Sequence, residues 1–153
     1  MVQFIVAMLG TLSFAILFHA PKKEYIFCSV TGAIGWIGYL VFVKNGLSIA
    51  VASLLSTFLM TILARMLSAV RRCPATIFLV TGIFTLVPGA GIYYTAYYII
   101  MGDVTSSLFK GIETFKIAGA IVLGIVFGFA LPQIWFNKIA GLLHQKKIEK
   151  RQE

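Results

Sequence analysis

The sequence predicts an all-α membrane protein with about five transmembrane helices, the fourth kinked or broken at a Pro-Gly-x-Gly motif. Hydrophobic residues make up 59% of the 153 residues and charged residues only 12%, whereas soluble domains have roughly 45–50% apolar and about 25% charged residues. A chain of this size cannot bury such an excess, because small domains leave much of their surface exposed. The apolar residues also fall into long runs separated by short clusters of charge.

Each predicted helix is one of these apolar runs. A helix needs about 20 mainly apolar residues to cross roughly 30 Å of hydrocarbon. The runs that reach or approach this length cover residues 2–18, 25–43, 47–70, 75–101 and 111–136. We therefore expect a five-helix transmembrane domain over residues 1–137, followed by a basic cytoplasmic tail over residues 138–153.

Basic residues are distributed unevenly between the two predicted sides of the membrane. Ten of the 13 fall on one side: Lys22, Lys23, Arg65, Arg71, Arg72, Lys138, Lys146, Lys147, Lys150 and Arg151. The other side holds Lys44, Lys110 and Lys116. Because cytoplasmic loops are rich in lysine and arginine, we expect a multi-pass protein of the cell (plasma) membrane with its N-terminus outside and its C-terminus cytoplasmic. The net charge of +8 then reflects orientation, and no nucleic-acid partner is expected. Arg65 is expected to snorkel to the cytoplasmic surface.

The fourth run contains the strongest signal for a site. Pro88 lies at its centre, where proline removes a backbone donor and clashes with the preceding turn, and Gly89 and Gly91 add backbone freedom. We expect the backbone to unwind at residues 88–91. Polar backbone groups freed at membrane depth must be buried in protein or line a wet cavity, and many transporters build their sites at such discontinuous helices. A helix N-terminus near Gly91 would suit a carboxylate, and free carbonyls near Val87 an ammonium group or cation.

Hydroxyl groups flank this break on both sides. The expected substrate path is lined by Thr81, Thr85, Pro88, Gly89, Gly91, Tyr94 and Thr95. Thr81 and Thr85 lie four residues apart and would share one helix face. A structural alternative stays open, because threonine hydroxyls bond back to their own helix and tyrosines near Met101 anchor at the membrane interface.

Three charged residues near the predicted external surface are candidates for a proton or gate site: Asp103, Glu113 and Lys116. Ionisable residues inside a membrane are rare and often functional. At the membrane edge, however, a solvated loop or a snorkelling side chain is the alternative. Glu113 and Lys116 lie three residues apart, so a local ion pair between them is expected.

The sequence contains no motif for enzyme chemistry. HExxH, a nucleophile elbow and a P-loop are all absent, and Cys28 and Cys73 do not form a metal-ligand spacing. We therefore expect neither an enzyme nor a cofactor nor a metal site.

A resemblance to a known family rests on the stretch LVPGAGIYYT at residues 86–95, followed by Gly102 and Asp103. This stretch resembles the signature of the threonine/serine exporter family, in the small-subunit type that corresponds to the second five-helix half. The resemblance extends over most of the chain through Pro21, the glycine-rich second and fifth runs, and Pro132.

The resemblance implies export of a small polar metabolite, either threonine and serine or a dicarboxylate such as succinate, by antiport driven by the proton gradient. It implies a larger membrane subunit of the same family as partner within the lipid bilayer, and it leaves a higher oligomer open. The alternative is a structural scaffold subunit whose partner holds the substrate site. Substrate identity, the coupling ion and whether this chain alone binds substrate stay open.

Overall fold

The computed structural model describes residues 2–134 and 136, and the regular structure in this part of the chain is helical. It contains six α-helices: α1 (Val2–Leu17), α2 (Tyr25–Lys44), α3 (Ile49–Arg71), α4 (Ala75–Ile83), α5 (Gly89–Ile100) and α6 (Val104–Ala130). One 3-10 turn, Lys22–Glu24, precedes α2. The expected tail over residues 138–153 lies outside the described residues.

Three helical segments in the described part are long and apolar enough to cross a membrane: Lys22–Lys44, Ile49–Arg71 and Val104–Ala130. Helix α1 is apolar but shorter. The expected fourth run is divided into α4, of nine residues, and α5, of twelve. At 1.5 Å per residue these two helices rise only ~14 Å and ~18 Å, so neither alone crosses roughly 30 Å of hydrocarbon.

Small residues bring the helices of the bundle close together. Helix α2 packs against α1, α3 and α4, while α3 packs against α6. A Cβ atom added to Gly124 on α6 would lie 2.6 Å from the carbonyl oxygen of Leu54 on α3. A Cβ added to Gly35 on α2 would lie 2.7 Å from the Met60 sulfur. Such close approach allows packing where lipid supplies no hydrophobic force between helices.

Helix α6 begins at Val104, earlier than the start near residue 111 that the apolar run indicated. Asp103 accounts for the difference, because its carboxylate accepts a hydrogen bond from the backbone N–H of Ser106 at 3.0 Å. A side-chain acceptor at this position satisfies a donor that the first helical turn leaves free. Lys110 and Glu113 consequently lie well inside the helix.

Arg65 on α3 is buried, so the expectation that it snorkels to the surface was wrong. Its side chain is only 3% exposed. It donates hydrogen bonds of 2.7 Å to the carbonyls of Gly128 and Leu131, and one of 2.6 Å to Oε1 of Gln133. Its guanidinium carbon also lies 4.4 Å from the ring centre of Phe136. The last turn of α6 has carbonyls without helical partners and carries the negative end of the helix dipole. Arg65 donates hydrogen bonds to these carbonyls and places a positive charge at that end.

Candidate functional site

The break between α4 and α5 covers residues 84–88, so it begins earlier than the 88–91 segment indicated by the sequence. Helix α4 ends at Ile83, whose carbonyl accepts from the N–H of Leu86 at 2.9 Å and of Val87 at 3.2 Å. Proline disfavours helical geometry in the preceding residue, here Val87. Pro88 itself, with φ of −76°, suits a helix start, where its missing N–H costs nothing. The two glycines of the motif are therefore helical residues of α5.

This break forms part of the wall of a cavity of about 370 Å³, a volume within the usual range for small-molecule sites. Five residues of the expected substrate path line it: Thr85, Pro88, Gly89, Gly91 and Tyr94. Other helices contribute polar and aromatic side chains, namely Trp36, Tyr39, Ser53, Lys110, Glu113 and Thr114. The cavity is thus a half-open pocket lined by α2, α3, α5, α6 and the α4–α5 break.

The expected threonines do not all meet at this cavity. Thr85 lies beyond the end of α4, so it does not share a helix face with Thr81, which is buried and lines a different cavity. Thr95 lines neither cavity. Each hydroxyl donates to a nearby backbone carbonyl: Thr81 to Ile77 at 2.9 Å, Thr85 to Gly82 at 2.8 Å and Thr95 to Gly91 at 2.7 Å. These bonds agree with the structural alternative for threonine.

Gly91 and Gly89 line the same cavity but differ in the space around them. A Cβ added at Gly91 would lie 3.2 Å from both Cβ and Cγ2 of Thr114 on α6, and closer still to Oγ1. A Cβ added at Gly89 would meet no atom within 4 Å. Close contact between α5 and α6 therefore requires glycine at position 91 and does not require it at position 89.

An ion pair lies on the α6 wall of the cavity. Nζ of Lys110 is 2.7 Å from Oε2 of Glu113, and the two side chains are 40% and 46% exposed. The sequence had indicated Lys116 as the partner of Glu113. Lys116 is exposed and does not line this cavity. Lys110 was missed as a site residue because α6 was expected to begin after it. The Asp103-to-Ser106 cap was the sequence signal for the earlier start.

Asp103 lies outside the cavity, at the N-terminus of α6. The hydrogen bonds from Ser106 lower the pKa of this exposed carboxylate below its usual range. A carboxylate with a lowered folded-state pKa stabilises the fold above its unfolded pKa, and this contribution is lost as pH falls through the folded-state pKa. Asp103 is therefore ionised near neutral pH, whereas its role as a proton or gate site stays a prediction.

Asp103→Asn is expected to unfold at nearly the same temperature as the parent, because asparagine caps a helix nearly as well as aspartate. Asp103→Ala should lower thermal stability, since it removes the cap. Thermal unfolding of both variants tests this expectation. If Asp103→Asn unfolds at as low a temperature as Asp103→Ala, the negative charge of Asp103 and not its hydrogen bond to Ser106 stabilises the start of α6.

A second cavity, of about 510 Å³, lies beside the first and is lined mainly by α1. Trp36 and Thr85 line both cavities. The indole N–H of Trp36 donates to Oε1 of Gln3 at 3.1 Å, and its ring stacks on Tyr39 at 5.5 Å between ring centres. Trp36 and Thr85 thus form a shared wall between the two spaces.

Comparison with known proteins assigns this fold to a family. Among the described residues, no group of three or more His, Cys, Asp or Glu side chains could hold a metal ion. No solved structure matches the chain. A family model described as "Threonine/Serine exporter, ThrE" matches residues 3–130, a range that covers the six described helices except for Val2, the first residue of α1. The chain therefore belongs to the threonine/serine exporter family of membrane transport proteins.

Proposed function

We propose that this chain is the membrane subunit of a secondary exporter, and that its substrate passes through the cavity at the α4–α5 break. Membership in the exporter family supports the activity. The position of the site is supported by a cavity of about 370 Å³ that joins the broken segment to polar side chains of α6. Threonine and serine are the proposed substrates, with a dicarboxylate such as succinate as the alternative.

The proposed topology has five crossings, with α4 and α5 forming one interrupted crossing. Each of these helices is too short to span the bilayer alone, and broken segments are tolerated at membrane depth where they line a cavity. The charge bias supports a plasma-membrane orientation with the N-terminus outside and the C-terminus cytoplasmic. Arg71 and Arg72, at the end of α3, would then be cytoplasmic, and Lys44, at the end of α2, external.

The proposed path continues past Trp36 and Thr85 into the second cavity. These side chains lie between the two spaces, so rotation of the indole ring would join them. Proton-driven antiport is the proposed coupling. Of the three candidate residues for proton coupling or gating, Glu113 is favoured because its carboxylate lies on the cavity wall, unlike Asp103 and Lys116.

The proposed partner is a larger membrane subunit of the same family. Helix α5 packs against α6 alone among the described helices and has no buried residue. A substrate path beside α5 needs a second wall, which the larger subunit would supply. A higher oligomer of this pair stays open.

A structural scaffold role is the second candidate function. Its supporting observation is that the hydroxyls of Thr81, Thr85 and Thr95 all bond to nearby backbone carbonyls. In that case the partner would hold the substrate site, and the cavity in this chain would be a packing feature.

Efflux measurements on cells that express this chain with and without a larger family subunit test the proposal. Cells preloaded with labelled threonine, serine or succinate should release at least one of these compounds faster when both chains are present, and a protonophore should slow that release. The proposal fails if both chains reach the membrane together and none of the three compounds leaves faster than from control cells.

A further inference from the structure

We infer that the Lys110–Glu113 ion pair recognises the paired ammonium and carboxylate groups of an α-amino acid and disfavours dicarboxylates. This inference rests on the proposed export function and deepens it by assigning the two residues that select amino acids over dicarboxylates. Two observations support it. The pair lies on the wall of the cavity at the broken segment, and its two residues belong to one helix, so their contact joins no two elements of the fold.

The position of the pair along α6 supports a functional role. Counted along α6 from the Asp103 cap, Lys110 lies ~10 Å and Glu113 ~15 Å into the helix. Phe109 and Phe115, at the same height, are 79% and 80% exposed, as expected for side chains that face lipid or another membrane subunit. Both residues lie in a helix that is long and apolar enough to cross a membrane, and ionisable residues in such helices are rare and often mark substrate or ion pathways.

A comparison with another ion pair of the chain argues against a structural role. Glu24 and Arg71, 2.7 Å apart, join the start of α2 to the end of α3, and the Glu24 side chain is buried. Lys110 and Glu113 belong to the same helix, so their contact holds no two helices together. Exposed pairs three residues apart on a helix contribute little stability.

The chemistry of the pair matches a zwitterion. The substrate carboxylate would bind the Lys110 ammonium while the substrate ammonium binds the Glu113 carboxylate. The internal ion pair is thereby exchanged for two intermolecular ones, and no charge is left without a partner in the cavity. A dicarboxylate would bring a second negative charge toward Glu113, and this repulsion provides specificity. Tyr94 on α5 lines the same cavity and offers a hydroxyl for the hydroxyl of threonine or serine, whereas Ser53 on α3 donates its own hydroxyl to the carbonyl of Ile49 and can only accept.

Counterflow of labelled threonine tests the inference in proteoliposomes that contain the complete exporter and have no pH gradient. Unlabelled competitors are threonine, threonine amide without the carboxylate, 2,3-dihydroxybutyrate without the ammonium, and succinate. For the parent protein, each of the last three should compete at least tenfold more weakly than threonine. In the Lys110→Met variant, threonine amide should compete as strongly as threonine. In the Glu113→Gln variant, 2,3-dihydroxybutyrate and succinate should compete as strongly as threonine.

Lys116→Met is the matched control, because it removes a positive charge from the same helix away from the cavity. It should keep the parental order of competitors. The inference is overturned if Lys110→Met and Glu113→Gln transport threonine with parental selectivity, or if the parent prefers succinate, and the proposed export function survives either result. A parent that is correctly assembled and moves none of the compounds overturns both.

Discussion

Gly91→Ala is expected to lower export by at least about fivefold, whereas Gly89→Ala should leave it close to the parental rate. The added methyl at position 91 meets Thr114 Cβ and Cγ2 at 3.2 Å, so α5 and α6 must move apart. Overpacking of this kind costs about 1–3 kcal/mol. A cost of about 1.4 kcal/mol changes the ratio of closely packed to separated arrangements of α5 and α6 tenfold. The methyl at position 89 enters open space and gains helix propensity.

The two variants form a matched pair, because they add the same group to the same helix and the same cavity. Efflux of labelled substrate should be measured for each at equal amounts in the membrane. Thr114→Ala removes Oγ1 and Cγ2 and leaves Cβ, so it should partly restore export to Gly91→Ala. A double-mutant cycle then isolates the contact between α5 and α6 from indirect effects.

Copurification with the larger subunit separates the two candidate functions. A transporter role predicts that Gly91→Ala assembles normally and exports poorly. A scaffold role predicts either weaker assembly or no effect. Equal export by the Gly91→Ala and Gly89→Ala variants would show that close contact at Gly91 is unimportant for transport.

The location of the broken segment was predictable from the sequence to within a few residues. Pro88 identifies an interruption, since a proline cannot occupy a helix interior without loss of a hydrogen bond. The local pattern does not reveal on which side of the proline the backbone leaves the helix. In the structure the non-helical segment precedes Pro88, because proline begins α5 and restricts Val87.

Other parts of the site depend on contacts that a local sequence pattern does not contain. The four-residue spacing of Thr81 and Thr85 indicated one helix face, but α4 ends at Ile83 and separates them. Gly91 was expected to provide backbone freedom. In the structure, its missing side chain instead leaves room for Thr114 on α6, a helix that begins thirteen residues later. Spacing along one helix predicts a shared face only while that helix continues.

The burial of Arg65 was also beyond prediction from local sequence. A basic residue near the end of an apolar run usually reaches the membrane surface. The carbonyls that Arg65 binds belong to residues more than sixty positions later, at the end of α6. Only the tertiary contact between α3 and α6 allows the Arg65 side chain to cap the C-terminal end of α6.

Arg65→Met is expected to lower the Tm of the purified protein by roughly 6–12 °C. The substitution keeps a long apolar stem but leaves the carbonyls of Gly128 and Leu131 without their donor. A buried acceptor without a partner costs about 1–3 kcal/mol, so two such groups give a loss of about 3 kcal/mol. Each kcal/mol shifts Tm by about 2–4 °C in a chain of this size. Thermal unfolding in detergent, followed by tryptophan fluorescence, measures the change.

Arg65→Lys should fall between the parent and Arg65→Met, because lysine keeps the charge but cannot reach several carbonyls with a planar fork. Arg72→Met is the matched control, since Arg72 is exposed and follows the last turn of α3. An exposed substitution of this kind usually changes stability by less than about 0.5 kcal/mol. If Arg65→Met and Arg72→Met unfold at the same temperature, the α6 carbonyls have other donors, and Arg65 does not hold α3 and α6 together.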